Sequence, residues 1–307
     1  MTALVLAVDR GRYRCLANDR QITAMKAREL GRGTIVVGDV VSLAGDVSGI
    51  PGTLARVVRV APRATVLRRS ADDTDPVERV IVANAEQLVI VTALANPPPR
   101  TGLIDRFLAA AYDAGLAPVL CLTKADLAGP GALRSLYEPL GIRQVVLGRP
   151  FQAEVLGELR ELLAGRISVL VGHSGVGKST LVNALVAEAA RTVGAVSPVT
   201  GRGRHTSSSV VALPLPPAGW IIDTPGLRSF GLAHLSPDRL VRAFADLAEG
   251  AGLCPPGCDH LGPECALDAW AQAGGESRRA RLESLRRLLR SKDGQATDGG
   301  QDADPRG

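Results

Sequence analysis

The chain has 307 residues, of which 46% are hydrophobic and 22% charged, enough for two or three domains with cores of their own. No apolar run reaches the length of a bilayer span, and Ala3–Val8 lacks the basic lead and cleavage signature of a signal peptide, so a cytoplasmic monomer with no membrane association is expected. The net charge of +5 is uneven: residues 1–70 hold twelve Lys/Arg against five Asp/Glu, a balance of +7 that leaves −2 for the rest, which points to an anionic partner at the N-terminal end.

In chain order, residues 1–62 read as short β-rich runs (Ala3–Val8, Tyr13–Leu16, Gln21–Met25, Val37–Leu43 and Leu54–Val60) broken by Gly-containing turns. That spacing predicts a small barrel, OB-type or SH3-like. Residues 63–80 are polar, with Pro76 and the run Ala71–Asp75, and read as a linker. From 81 to 235 strands alternate with helices: strand Leu88–Ala93, helix Gly102–Ala114, strands Pro118–Leu122 and Gln144–Leu147, helix Phe151–Leu163, strand Ile167–Val171, a helix from Lys178, and strand Trp220–Ile222. The alternation predicts an α/β domain with a mostly parallel sheet. Residues 236–291 read as helical around a cysteine cluster, and 292–307 as a disordered Gly/Asp/Gln tail. Cys15 and Cys121 stand alone in apolar runs and are expected in the core.

Gly172-His173-Ser174-Gly175-Val176-Gly177-Lys178-Ser179, followed by Thr180, fits the phosphate-loop pattern G-x-x-x-x-G-K-[ST], between a strand and a helix as that motif requires. The glycines let backbone N–H groups converge on phosphate oxygens, Lys178 supplies a point charge at the β/γ phosphates, and the Ser179 hydroxyl suits Mg²⁺. Thr123-Lys124-Ala125-Asp126 follows a buried strand and fits a guanine-selecting pattern. The Asp126 carboxylate can accept both guanine donors, N1–H and N2–H₂, where adenine offers an acceptor; the Lys124 stem can lie on the base plane. Asp223-Thr224-Pro225-Gly226 has the D-x-x-G form, with Asp223 on Mg²⁺ through water and the Gly226 N–H at the γ-phosphate. Between these, Arg191–Ser209 has the composition of a switch loop, in which Thr206 is the candidate second Mg²⁺ ligand and Thr200 and Ser207 are rivals. Leu227 stands where many GTPases carry a water-orienting glutamine, so His205 is the candidate for that task.

Cys254, Cys258, His260 and Cys265 offer three thiols and an imidazole within twelve residues, a set suited to a closed tetrahedral structural zinc site. Two basic stretches remain. Residues 1–70 have a single aromatic, Tyr13, so RNA contact there would run through phosphates and shape rather than base stacking. Glu276–Arg290 carries six arginines beside a leucine stripe and reads equally as a packed amphipathic helix or an RNA contact.

Usual GTPases present the phosphate loop first, then the switches, then the base motif; here the base motif comes first, a circular permutation. With Gly102–Arg106, Gly201–Thr206 and the cysteine cluster, the chain resembles the circularly permuted small ribosomal subunit-dependent GTPase A family over residues 35–290. The resemblance implies an N-terminal OB domain, a permuted GTPase domain and a C-terminal zinc domain. It also implies Mg²⁺-dependent hydrolysis of GTP to GDP, stimulated by the small ribosomal subunit late in its maturation, through contact with its rRNA. The chain departs from the family pattern at Gly148-Arg149-Pro150, where a Ser-containing loop is usual, at Thr123, where Asn is frequent, and in cysteine spacers one residue shorter. A rival reading is a nucleotide-gated RNA-binding factor in which hydrolysis is only a slow reset; an ATP-using enzyme is disfavoured by Thr123–Asp126.

Overall fold

The computed structural model describes residues 1–31, 33–70, 77–193, 210–224, 232, 236–242 and 244–292. Strands β1 (Thr2–Asp9), β2 (Arg12–Ala17), β3 (Arg20–Lys26), β4 (Val40–Gly45) and β5 (Ala55–Val60) form a barrel in the order β1-β2-β3-β5-β4, closed by β4 pairing back onto β1. β3 and β5 run parallel while their other partners are antiparallel, which gives the partly open Greek-key order of an OB barrel. Strict alternation drives the closure: Tyr13, Cys15 and Ala17 point inward and Arg12 and Arg14 outward. The fourth barrel strand starts at Val40 rather than Val37, and Val37 bridges instead to Val82 outside the barrel.

The stretch read as a linker contributes two strands. β6 (Val66–Arg69) and β7 (Arg79–Ala83) pair as an antiparallel ribbon. Pro76 and a polar run hid these short strands. Their anchorage is polar: Asp39, fully buried in the barrel, receives Arg63 through Nε (2.7 Å) and Nη2 (2.8 Å) and the Val36 N–H (2.8 Å). Asn84 Nδ2 donates to the Gly38 carbonyl and its Oδ1 accepts the Ala64 N–H.

Next come β8 (Gln87–Ala93), α1 (Thr101–Asp113), β9 (Ala117–Thr123), α2 (Gly131–Tyr137), β10 (Arg143–Leu147), α3 (Ala153–Leu163), β11 (Ile167–Val171), α4 (Lys178–Val193), β12 (Val211–Pro214) and β13 (Trp220–Asp223). Their sheet order is β10-β9-β8-β11-β13-β12, parallel throughout except for the edge strand β12. Every residue of β8 is buried, as a central strand covered on both faces demands. One face packs Ile104, Phe107 and Leu108 of α1; the other packs Leu159 and Leu163 of α3 and Leu181 and Leu185 of α4. At the edge, Ala7 of β1 pairs with Val211 of β12, so barrel and domain share one eleven-stranded sheet.

The C-terminal part is helical: α5 (Pro237–Arg242), α6 (Ala245–Ala251), α7 (Ala266–Ala273) and α8 (Gly275–Lys292). Leu282, Leu285, Leu288 and Leu289 of α8 join the same core as α1, so this region packs onto the α/β domain rather than hanging from it. Among the described residues no helix is long and apolar enough to cross a membrane.

Candidate nucleotide site and metal cluster

The candidate residues sit at the carboxyl ends of three neighbouring strands, β9, β11 and β13, with β8 between the first two, where open α/β sheets bind ligands. Parallel pairing of Leu170 with Asp223 sets the phosphate loop beside the D-x-x-G segment. The loop leaves β11 so close to β8 that a Cβ on Gly172 would lie 2.4 Å from the Val91 carbonyl oxygen. Gly177, at φ +92°, completes the turn into α4, whose N-terminus carries Lys178, Ser179 and Thr180. His173, Ser174 and Gly175 are solvent-facing to varying degree, whereas Val176 is buried. Lys178 is only 7% exposed, and its Nζ donates to Asp223 Oδ1 and the Thr224 carbonyl. The Thr224 hydroxyl in turn donates to the Leu170 carbonyl at 2.7 Å. Lysine and aspartate are thus paired at the start of α4, with Ser179 exposed next in sequence.

The base motif joins the same constellation. Thr123, 1% exposed, donates its hydroxyl to the Val176 carbonyl at 2.6 Å, tying the motif to the phosphate loop rather than turning outward to a base. Lys124 takes a left-handed backbone (φ +60°), and its Nζ reaches the Asn96 carbonyl. The Ala125 N–H bonds the Leu147 carbonyl at 3.1 Å, and Asp126 Oδ1 accepts the Arg149 N–H at 2.7 Å. The departure Gly148-Arg149-Pro150 is therefore packed on Asp126. Sequence reasoning missed this role; the only available signal was its position after a strand parallel to β9. Thr200, His205, Thr206, Ser207, Pro225 and Gly226 lie outside the described residues, as does the tail from 293.

Some distance away in sequence, Cys254, Cys258, His260 and Cys265 converge, with all four ligand atoms within 4.8 Å of one another. The Cys254 Sγ to Cys265 Sγ separation and those from each sulfur to His260 Nδ1 are all 3.7 Å. A tetrahedron with metal–sulfur bonds of about 2.3 Å has edges of roughly 3.8 Å, so the donor set fits zinc. Burial pushes the Cys265 thiol up to about 12, so its ionisation at neutral pH calls for a cation. Arg286 braces the loop: it pairs with both Asp268 oxygens at 2.8 Å and donates to the His260 carbonyl at 3.0 Å.

The arginine-rich helix is largely committed to internal contacts. Arg287 donates to Asp105 Oδ2 at 2.9 Å and lies over the Tyr137 ring. Arg281 donates to the Pro139 carbonyl at 2.5 Å and pairs with Asp246. Asp105, 2% exposed, belongs to the Gly102–Arg106 stretch whose purpose the sequence left open. Burial raises its carboxyl above the ordinary range even though the Arg287 charge opposes this.

A phosphate loop, a T-K-x-D motif packed on it and a D-x-x-G aspartate, arriving along the chain in permuted order, define a permuted P-loop nucleotide-binding protein. Residues 60–233 match the RsgA GTPase family, and the chain belongs to it. Small ribosomal subunit biogenesis GTPase RsgA from Alcanivorax borkumensis is 42% identical over 229 residues, covering 72% of this chain and 64% of that protein. The Pseudomonas aeruginosa protein of the same name is 38% identical over 265 residues, covering 84% and 76%. The match thus spans about two thirds to three quarters of these relatives' length. The crystal structure of YjeQ from Thermotoga maritima superposes with a TM-score of 0.65 at 25% identity, covering 95% of this chain and 98% of that one. YloQ, described as a circularly permuted GTPase, gives 0.67 at 23% identity, covering 96% and 95%, and so shares the fold.

Proposed function

We propose that this protein is a GTP hydrolase acting in biogenesis of the small ribosomal subunit. The observation that carries the reading is the direct union of base reader and phosphate loop, through the Thr123 hydroxyl on the Val176 carbonyl at 2.6 Å. Within it, Asp126 takes the guanine N1–H and N2–H₂ and Lys124 covers the base. The backbone of Gly172–Thr180 cradles the phosphates, Lys178 neutralises charge at the β/γ oxygens, and Gly226 meets the γ-phosphate. Ser179, Thr206 and, through water, Asp223 are the residues that would hold Mg²⁺, which would offset the charge on the phosphate oxygens. Water adds to the γ-phosphorus, the bond to the β–γ bridging oxygen breaks, and GDP and phosphate leave. His205 is the candidate for orienting that water.

Turnover by the protein alone should be slow, roughly 10⁻⁴ to 10⁻² s⁻¹ as in P-loop GTPases that lack an external arginine. A zinc ion held by Cys254, Cys258, His260 and Cys265 would be structural, since four protein donors leave no position for substrate. The partners are GTP, GDP and the small subunit's rRNA, and the protein works as a cytoplasmic monomer apart from membranes. Support for the rRNA contact comes from the barrel, where Arg12, Met25 and Arg56 stand opposite one another across β2, β3 and β5 with their side chains exposed.

The test is GTP hydrolysis with and without purified small subunits, with Lys178→Ala as control. Stimulation by orders of magnitude, lost in the variant, is expected. Tight GTP-dependent binding to subunits without stimulation would favour the gated RNA-binding factor.

A further inference from the structure

One residue joins the two ends of the nucleotide site. Arg149 lies in the loop between β10 and α3, and its backbone N–H donates to the base-reading Asp126 at 2.7 Å. Its side chain runs the other way. Nη2 donates to Thr180 Oγ1 at 3.1 Å, and the same atom lies 3.7 Å from where a Cβ on Gly177 would stand. The residue therefore spans from the carboxylate that selects the base to the first turn of the helix that receives the phosphates.

A nucleoside phosphate held at both ends has its ribose and α-phosphate in between, so the guanidinium borders that middle stretch. The two lysines of the site are turned elsewhere, Lys178 to Asp223 and Thr224 and Lys124 to the Asn96 carbonyl. Arg149 itself is exposed, and its bond to Thr180 goes to a neutral hydroxyl using one of five N–H donors. A planar fork with donors to spare, facing the line of a phosphate chain, is the geometry that guanidinium groups use on phosphate oxygens.

We propose that Arg149 clamps the α-phosphate of the bound guanine nucleotide, an inference that rests on the GTP-binding reading above. The α-phosphate is common to GTP, GDP and GMP, so the clamp strengthens all three alike, a uniform contribution to binding rather than one confined to the transition state. It also gives this chain a cationic contact from the loop that departs from the family pattern, in place of a base contact there.

The experiment is equilibrium binding of a non-hydrolysable GTP analogue, GDP, GMP and guanosine, each by competition against a fluorescent GDP, to the wild-type chain and to Arg149→Ala and Arg149→Lys. Removing a charge-assisted hydrogen bond should weaken the three nucleotides by one common factor, about 10- to 100-fold, with the lysine variant recovering part of the loss. Guanosine, which has no phosphate, should compete as well with the alanine variant as with wild type. Unchanged nucleotide affinity in Arg149→Ala overturns the clamp, and so does a loss that extends equally to guanosine, which would assign Arg149 to holding the Asp126 loop. A wild-type chain that binds none of the four removes the GTP-binding reading and the clamp together, whereas normal wild-type binding with an unaffected variant removes the clamp alone.

Discussion

On the barrel, Arg12 and Arg56 flank Met25 on adjoining strands, and Arg10, Arg14, Arg20 and Arg59 are likewise exposed. On α8, Arg287 reaches α1 through Asp105, Arg281 reaches Asp246 and the Pro139 carbonyl, Arg286 grips Asp268 and the metal loop, and Arg278 covers Trp270. Both regions are basic in sequence, yet one holds its charge toward solvent and the other uses most of it to fasten helices. Charge density alone does not mark a polyanion site; the partners of each guanidinium do.

The strongest way to break this contrast is to disrupt the cysteine–histidine cluster packed beneath α8. Cys265→Ser, or chelation, should melt the C-terminal helices, because structural zinc supplies on the order of 10–16 kcal/mol of binding energy in small domains. Far-UV circular dichroism and a thermal melt would register the loss, and an unchanged melt would show that α8 holds without it. Next in size is Arg287→Ala, which leaves Asp105 buried without its cation. Urea unfolding should report a destabilisation of about 3–5 kcal/mol, the usual result of orphaning one member of a buried pair.

That variant also has a pH signature. Burial already raises the Asp105 carboxyl above its unfolded value, and losing Arg287 raises it further. A carboxyl raised on folding favours the native state below its unfolded pKa of about 3.9 and loses that contribution as pH climbs through the folded value. The deficit of Arg287→Ala should therefore shrink as the solution is acidified toward pH 4. A deficit independent of pH would count against a charge at Asp105.

Smaller effects sharpen the other side of the comparison. Arg12→Glu with Arg56→Glu should leave the melting temperature unchanged while lowering the salt slope of small-subunit RNA binding, by roughly 0.7–0.9 for each phosphate no longer neutralised. A salt slope equal to wild type would take the barrel face out of the interface. Smallest of all, Arg278→Ala should cost about 0.5–1 kcal/mol from its exposed cation–π contact and nothing in subunit binding. Weakened subunit binding by this variant would give α8 a second task.

The phosphate loop, the base motif and the cysteine cluster were legible because their chemistry requires neighbours in sequence: a turn into a helix, four ligands within a dozen residues. The strand–helix alternation that carries them was legible for the same reason, since Leu88–Ala93 and Ile167–Val171 are apolar runs with one polar residue each. What could not be read were partners brought together by the fold. Arg149 and Thr180 are 31 residues apart, and Asp105 and Arg287 are 182 apart; no local pattern marks either pair. The T-K-x-D pattern turns Thr123 toward a base, yet β9 ends so near the phosphate loop that its hydroxyl is used inside. The choice between OB-type and SH3-like barrels likewise awaited one parallel pairing, β3 with β5. The ribbon β6–β7 and strand β12, at four or five residues each, were too short to declare a period.

The seam between Ala7 and Val211 bears on thermodynamic reciprocity. β12 begins just after the stretch 191–209, whose sequence reads as a switch loop, and pairs on one side with β13, which ends in Asp223, and on the other with β1 of the barrel. Any shift of β12 that accompanies exchange of GTP for GDP is felt by the barrel through backbone hydrogen bonds rather than through a flexible tether. If that shift changes how tightly the barrel grips an anionic partner, the partner must change the protein's preference between the two nucleotides by the same factor.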